Sequence, residues 1–207
     1  VNWFLTLLVS PRVLPRMDYE NGVPEASRTM VVVPTLLSPD DSVRNLVQQL
    51  ELHYLRNNQA NLSFALLTDF ADAPAQHMPE DEELVRRLRS AVEALNVRYA
   101  STSFYMFHRE RRWNPAEGCW MGWERKRGKL HEFNRLLRGA NDTSYTVQLG
   151  RMTALRATRY VIPLDADTIQ IGRHPDSDIF LDDVTVSRRH AEVRRESDGQ
   201  YHLVDAG

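Results

Sequence analysis

Two stretches of this 207-residue chain combine residue types that could do chemistry: the Asp-x-Asp pair Asp165 and Asp167, and the tryptophan-rich basic run WNPAEGCWMGWERKRGKLHEFN. Two carboxylates one residue apart at a strand end can hold a divalent cation on a diphosphate, because hard cations take oxygen ligands. The same pair could equally form a turn, and a single aspartate after a strand is more often a cap than a ligand. The second run brings Trp113, Trp120 and Trp123 close to Arg125, Lys126, Arg127 and Lys129. Aromatic faces stack on sugar rings and bases, and a basic cluster beside a glycine suits an anionic diphosphate. A solvated charged stripe flanked by core tryptophans would have the same pattern. In an open α/β sheet, ligands sit beyond the carboxyl ends of the strands, which adds Thr35, Thr68 and Asp69 to the candidates.

These residues need a frame, and the hydrophobic pattern supplies one. From Thr29 onward short apolar runs alternate with amphipathic ones, as expected of a parallel sheet flanked by helices. MVVVPTLL reads as a buried strand. Ser38 as N-cap, Pro39 at the first helical position and Asp41 as capping carboxylate then open a helix, whose apolar face is Val43, Leu46, Val47, Leu50 and Tyr54. LSFALLTDF is a second strand, a second helix spans about Glu80 to Tyr99 with Leu84, Leu88, Val92 and Leu95 inward, and SFYMFHR is a third strand. The tryptophan-rich run is expected to be a loop. A short helix carrying Leu130, Phe133, Leu136 and Leu137 follows it, then the strands SYTVQL and RYVIPL. Beyond Thr168 the texture becomes all-β, with IQIGR, DIFL, HAEVRR and YHLVDA as short strands between polar turns. No Gly/Ser linker separates the halves, and the nearest candidate is GRMTALRAT, residues 150–158.

Composition limits the function classes. The net charge of -2 and pI near 6.4 argue against a nucleic-acid coat protein, which needs an excess of Lys and Arg on one face. A single cysteine, Cys119, permits neither an intrachain disulfide nor a thiolate metal cluster, and the seven histidines show no metal-ligand spacing. The first nine residues, VNWFLTLLV, are apolar. In a helix they would rise about 14 Å, roughly half a bilayer core, so they fit either the end of a membrane helix, with Arg12 and Arg16 on the cytoplasmic side, or an arm packed on the domain.

The runs VVVPTLL, FALLTDFADAPAQHMPEDE, RRWNPAEGCWMGWERKRGKLHEFNRLLRGANDTS and RYVIPLDADT resemble the glycosyltransferase domain of cyclic β-1,2-glucan synthases over about residues 1–168. That resemblance implies a bacterial inner-membrane enzyme with a GT-A-like (Rossmann-like), mostly parallel α/β sheet. It takes glucose from UDP-glucose with Mg²⁺ or Mn²⁺ and passes it to a glucan acceptor on the cytoplasmic side. Carried over, Thr35, Asp69, Arg127 and Lys129 bind the nucleotide sugar, with Asp69 at the uridine and Lys129 near the diphosphate, while Asp165 and Asp167 hold the metal. The acceptor and catalytic-base region that follows in such enzymes has no counterpart here, so a fragment incomplete for catalysis is expected.

IQIGRHPDSDIFLDDVTVSRRHAEVRRESDGQYHLVDAG resembles instead the first half of a bacterial FHA domain, a β-sandwich that binds phosphothreonine. By that resemblance Arg173 and Ser187 contact the phosphate, Arg188 supports them and His190 braces the loop; a guanidinium and a hydroxyl converging on one phosphate suit that task. RYVIPLDADT fits both families: as the strand leading to the metal pair, or as the first arm of a hairpin YVIPLDADTIQIGR in which Asp165 to Thr168 only turn the chain. The resulting division is an apolar arm at 1–25, a nucleotide-sugar domain at 26–157 and a partial FHA sandwich at 158–207. Three functions stay open: a UDP-glucose-dependent transferase fragment, a phosphothreonine-peptide module, and a chimera in which neither site works.

Overall fold

The computed structural model describes residues 22–38, 43–57, 59–100, 103–164, 168–172, 179–180, 187, 189–195 and 201–205. In chain order the first region contains β1 (Thr29–Leu37), α1 (Val43–Arg56), β2 (Leu62–Phe70), α2 (Asp81–Arg98), β3 (Phe104–Arg109), β4 (Arg112–Asn114), β5 (Cys119–Met121), α3 (Arg125–Leu137), β6 (Tyr145–Leu149), α4 (Met152–Leu155) and β7 (Tyr160–Pro163). Five of the strands form one sheet in the order β6-β3-β2-β1-β7, with β6 antiparallel and the rest parallel. This is the mostly parallel α/β sheet expected from the alternating pattern.

The continuous apolar runs of β1, β2 and β3 follow from burial of both sheet faces. Strand periodicity sends Val31, Val33, Phe64, Leu66, Phe104 and Met106 to one face, where Val43, Leu50 and Tyr54 of α1 and Leu84, Leu88, Val92 and Leu95 of α2 cover them. The alternate residues Met30, Val32, Ala65, Leu67, Tyr105 and Phe107 meet Phe133 of α3 and Leu155 of α4 on the other face. Each fully buried leucine of this kind contributes about 1.5–3 kcal/mol. The inward positions expected for α1 and α2 are the ones observed, Leu46 and Val47 being partly buried against the same core. Residues 39–42, which carry the expected Pro39 and Asp41 of the helix start, lie outside the described residues.

Three expectations change. The tryptophan-rich run is not a plain loop: β4 and β5 pair as a hairpin, with Trp113 opposite Trp120. Nor is 150–158 a linker, because α4 lies within it and Leu155 is buried in the second core cluster. Finally, β7 pairs in parallel with β1, Thr29 opposite Tyr160 through Val32 opposite Pro163. Tyr160–Pro163 therefore belongs to the first sheet, and the hairpin reading of YVIPLDADTIQIGR fails because its two arms sit in different sheets. The first sheet thus runs past the boundary expected at 157/158. The apolar run β7 gains more by closing the edge of β1, over a buried Met30 and Val32, than by a local turn.

The second sheet is all-β, with β8 (Thr168–Gly172), β9 (Ile179–Phe180), β10 (Ala191–Arg195) and β11 (Tyr201–Asp205) in the order β11-β10-β8-β9. β10 is antiparallel to both its neighbours, and β8 and β9 are parallel. Among the described residues no helix is long and apolar enough to cross a membrane. The apolar stretch 1–9 lies outside them.

Candidate functional site

Pro34 accounts for where the first region opens. Pairing of β7 with β1 stops at Val32, so among the described residues one edge of β1 is unpaired from Pro34 onward, where a missing N–H disrupts no ladder. Pro34, Thr35 and Leu36 there line a cleft of about 300 Å³ with Asp69, Asp72, Gly122, Arg125, Lys126 and Lys129. It lies toward the carboxyl ends of β1 and β2, beside the point where the strand order reverses between β2-β1 and β7, the usual place for a ligand in a doubly wound sheet. Thr35 and Asp69 were expected just after their strands. Both are inside them, near the carboxyl ends, with Thr35 opposite Thr68 and Leu36 opposite Asp69.

Asp69 is 2% exposed and sits in a buried charge network. Arg109 Nε donates to its Oδ1 at 2.7 Å and Nη2 to its Oδ2 at 2.8 Å, while Lys129 Nζ lies 3.2 Å from Oδ2. Lys129, 3% exposed on α3, also donates to the Thr35 carbonyl at 2.5 Å and so ties the helix to β1. Among the described residues these contacts engage three of the roughly four lone-pair sites of the carboxylate, the fourth lying on Oδ1.

Arg109, at the end of β3, organises everything around it. Besides Asp69 it donates through Nη1 to the Trp123 carbonyl at 3.1 Å and Glu132 Oε2 at 3.0 Å, and through Nη2 to the Arg125 carbonyl at 3.0 Å. All five of its N–H groups are thereby used. Burial works against the Arg109 charge, but the hydrogen bond and charge of Asp69, with the hydrogen bond of Glu132, outweigh it and hold the guanidinium above its ordinary pKa. Ser144 adds its N–H at 3.2 Å and a short hydroxyl hydrogen bond to Glu132.

The two carbonyls that Arg109 holds flank an unusual backbone. Glu124 and Arg125 have φ of 51° and 46°, a left-handed pair without glycine that costs roughly 1–2 kcal/mol per residue. Two glycines make the turn fit. A Cβ on Gly122 would lie 2.6 Å from Asp69 Oδ2, and one on Gly128 would lie 2.1 Å from the Trp123 carbonyl oxygen. Neither Arg109 nor Glu132 was singled out from the sequence. The one available signal was a charged residue ending an otherwise apolar strand, FYMFHR.

Arg127 does not reach the cleft. Its side chain is 89% exposed and lies 4.0 Å from Glu124. On α3 the residues at 125, 126 and 129 share a side through helical spacing, while 127 points away. Arg125 therefore takes the place expected of Arg127 and is itself bridged to Asp72 at 2.8 Å and Glu117 at 2.5 Å. Asp72, Glu117 and Cys119 bring ligand atoms within 4.8 Å of one another, but Arg125 already supplies the cation that two of them hold. Asp165 and Asp167 lie outside the described residues. The described chain leads to them through Leu164, whose N–H donates to the Val32 carbonyl at 2.7 Å.

Around the neighbouring loop, Arg111 bonds both oxygens of Asp81 and the carbonyls of Ala71 and Gln76, which shapes the residues after β2. His108 Nδ1 lies 2.9 Å from Thr68 Oγ1, and among the described residues its buried Nε2 has no hydrogen-bond partner. Burial pushes the His108 pKa down to about 4, against the pull of the Asp69 and Asp81 charges.

Of the expected phosphate contacts in the second region, Arg173 and Arg188 lie outside the described residues. Ser187 is exposed; its Oγ donates to the Arg189 carbonyl at 3.1 Å and lies 3.4 Å from His190 Nδ1.

Comparison with known proteins finds two unrelated kinds of relative for the two parts of the chain. Over 170 residues, 81% of the chain, it is 44% identical to cyclic β-(1,2)-glucan synthase NdvB of Rhizobium meliloti, and it spans about 6% of that protein's length. Residues 169–207 match the FHA domain family. Across 44 residues, 21% of the chain, it is 73% identical to the oxoglutarate dehydrogenase inhibitor of Corynebacterium jeikeium and 64% identical to the glycogen accumulation regulator GarA of Mycobacterium tuberculosis. The matches cover 30% and 26% of those two proteins. The chain thus joins a glycosyltransferase-like region, similar to a cyclic β-(1,2)-glucan synthase, to an FHA domain.

Proposed function

We propose that the first region is the nucleotide-sugar-binding part of a UDP-glucose-dependent glucosyltransferase that builds β-1,2-glucan, incomplete for catalysis by itself. The reading rests on the buried Asp69–Lys129 pair at the carboxyl ends of β1 and β2, within a stretch 44% identical to a glucan synthase. Lys129, held by Asp69 and Thr35, presents its ammonium where Arg125 and Lys126 also line the cleft, and this charge suits a diphosphate. Asp69 keeps one lone pair for the uridine, and Thr35 shapes the wall beside it. The proposal also includes Mg²⁺ or Mn²⁺ at Asp165 and Asp167, since two carboxylates one residue apart are hard oxygen donors suited to such a cation. The cation would neutralise the leaving diphosphate. In the parent enzyme this chemistry takes place at the cytoplasmic face of the inner membrane, with the apolar stretch 1–9 beside the bilayer.

Calorimetric titration with UDP-glucose and Mn²⁺ tests the reading. Binding weakened at least tenfold in Lys129→Met supports it; no binding, or binding indifferent to that change, refutes it.

A second reading belongs to the other region, on the strength of its FHA match: recognition of a phosphothreonine peptide by Arg173, Ser187 and Arg188, with His190 bracing Ser187. Titration with a phosphothreonine peptide and its unphosphorylated twin decides it. Affinity that is phosphate-dependent and lost in Arg173→Ala supports it, whereas equal or absent binding of both peptides excludes it. Should both titrations fail, the chain is a chimera in which neither site works.

A further inference from the structure

The β4–β5 hairpin forms a second cleft, of about 460 Å³, that the nucleotide-sugar reading does not use. Trp113 and Trp123 line it while 51% and 45% exposed. Two half-exposed indoles lining one concave surface make the kind of exposed apolar patch that marks a ligand-binding groove. Polar side chains surround the two rings: Asn114, Glu117 and Arg125. Flat aromatic faces next to such donors and acceptors match a pyranose, whose C–H face is apolar and whose hydroxyls need hydrogen-bond partners.

The cleft is held in place. Trp120, behind Trp113 at a ring separation of 5.9 Å, exchanges two backbone hydrogen bonds with Ala73, each 2.9 Å, which fastens the hairpin to the loop after β2. Arg125 lines both this cleft and the one at Asp69 and Lys129. Its left-handed backbone and that of Glu124 are kept there by the Arg109 hydrogen bonds to the Trp123 and Arg125 carbonyls. Strain over-determined by its surroundings in this way marks functional sites. Ligands in the two clefts would face each other across one guanidinium.

We infer that the Trp113–Trp123 cleft is the acceptor subsite, which stacks a glucosyl residue of the glucan beside the nucleotide-sugar cleft. The inference rests on the transferase reading above and places part of the second substrate's site in this region, against the expectation from the resemblance that no acceptor contact lies here.

The test is titration of the whole chain with β-1,2-linked glucose di- to tetrasaccharides, read by calorimetry and tryptophan fluorescence, in parallel with UDP-glucose. The expected result is saturable oligosaccharide binding that weakens at least tenfold in Trp113→Ala and in Trp123→Ala and is largely retained in the Phe variants. UDP-glucose affinity should stay within about twofold of the unaltered chain. Absence of oligosaccharide binding, or binding unchanged by both Ala variants, overturns the assignment. So does a tenfold loss of UDP-glucose affinity in the Ala variants with oligosaccharide binding intact, since the indoles would then stack on the base. Oligosaccharide binding without any UDP-glucose binding would refute the donor reading while leaving this subsite standing as a sugar site.

Discussion

Replacing Arg109 by methionine should damage the first region more than any other single change among its charged residues. Methionine keeps much of the side-chain volume but removes five N–H donors from a fully buried position, leaving Asp69 at 2% and Glu132 at 3% exposure without their guanidinium. Breaking a buried ion pair from one side costs about 3–5 kcal/mol. With a urea m-value near ~2 kcal/mol/M, the midpoint of the first region's transition should fall by roughly 2 M. Lys129 still pairs with Asp69 in the variant, so Glu132 is the more poorly compensated charge. A second substitution, Glu132→Gln, should therefore recover more stability than Asp69→Asn. Urea unfolding followed by circular dichroism at pH 7 measures all of this. A penalty under about 1 kcal/mol would refute the argument that the network is held by Arg109.

Gly122→Ala should cost about 1–3 kcal/mol in the same assay and weaken UDP-glucose binding, because a Cβ 2.6 Å from Asp69 Oδ2 displaces a carboxylate already fixed by Arg109. An unchanged midpoint would mean that the loop shifts freely. His108, neutral in the fold with a pKa of about 4, takes up a proton on unfolding anywhere between that value and about 6.5. The unfolded state binds more protons there, so stability should be lost as pH drops from about 6.5 to about 4, by up to about 3 kcal/mol; a His108→Gln variant that retains the same slope would show that other groups are responsible. Leu88→Ala, at a fully buried position of α2, should lower stability by about 2–5 kcal/mol while the second region keeps any peptide binding. A smaller loss in urea unfolding would mean that the core closes over the cavity.

Much of this protein was legible in the sequence, for identifiable reasons. Continuous runs such as MVVVPTLL and LSFALLTDF cannot expose either face, so they announced buried parallel strands. Leu84, Leu88, Val92 and Leu95 announced the packed face of α2, since helical periodicity is local. The change of texture after Thr168 marked the second sheet. Asp69 stands out because residues at strand ends face the ligand side in such sheets, and Lys129 because it belongs to a basic cluster beside a glycine. Arg127 was misplaced within the same cluster, because a run of four cations carries no direction until the helix start is known, and the left-handed pair at Glu124–Arg125 sets that start.

Pairing between distant segments was decided only by the tertiary structure. RYVIPL could have turned back on IQIGR or closed the edge of β1, and local patterning favours both; the buried edge beside Val32 settles the choice, with partners 131 residues apart in sequence. The partners of Arg109 come from β2, α3 and the turn between β5 and α3. No spacing rule connects these, because a buried charge is satisfied by whatever surrounds it in space. Sequence by itself determined which segments must be buried and which carry charge, through local periodicity and composition. Only the fold determined which charges meet, since that depends on strand order and on Gly122, which lets the backbone approach a buried carboxylate.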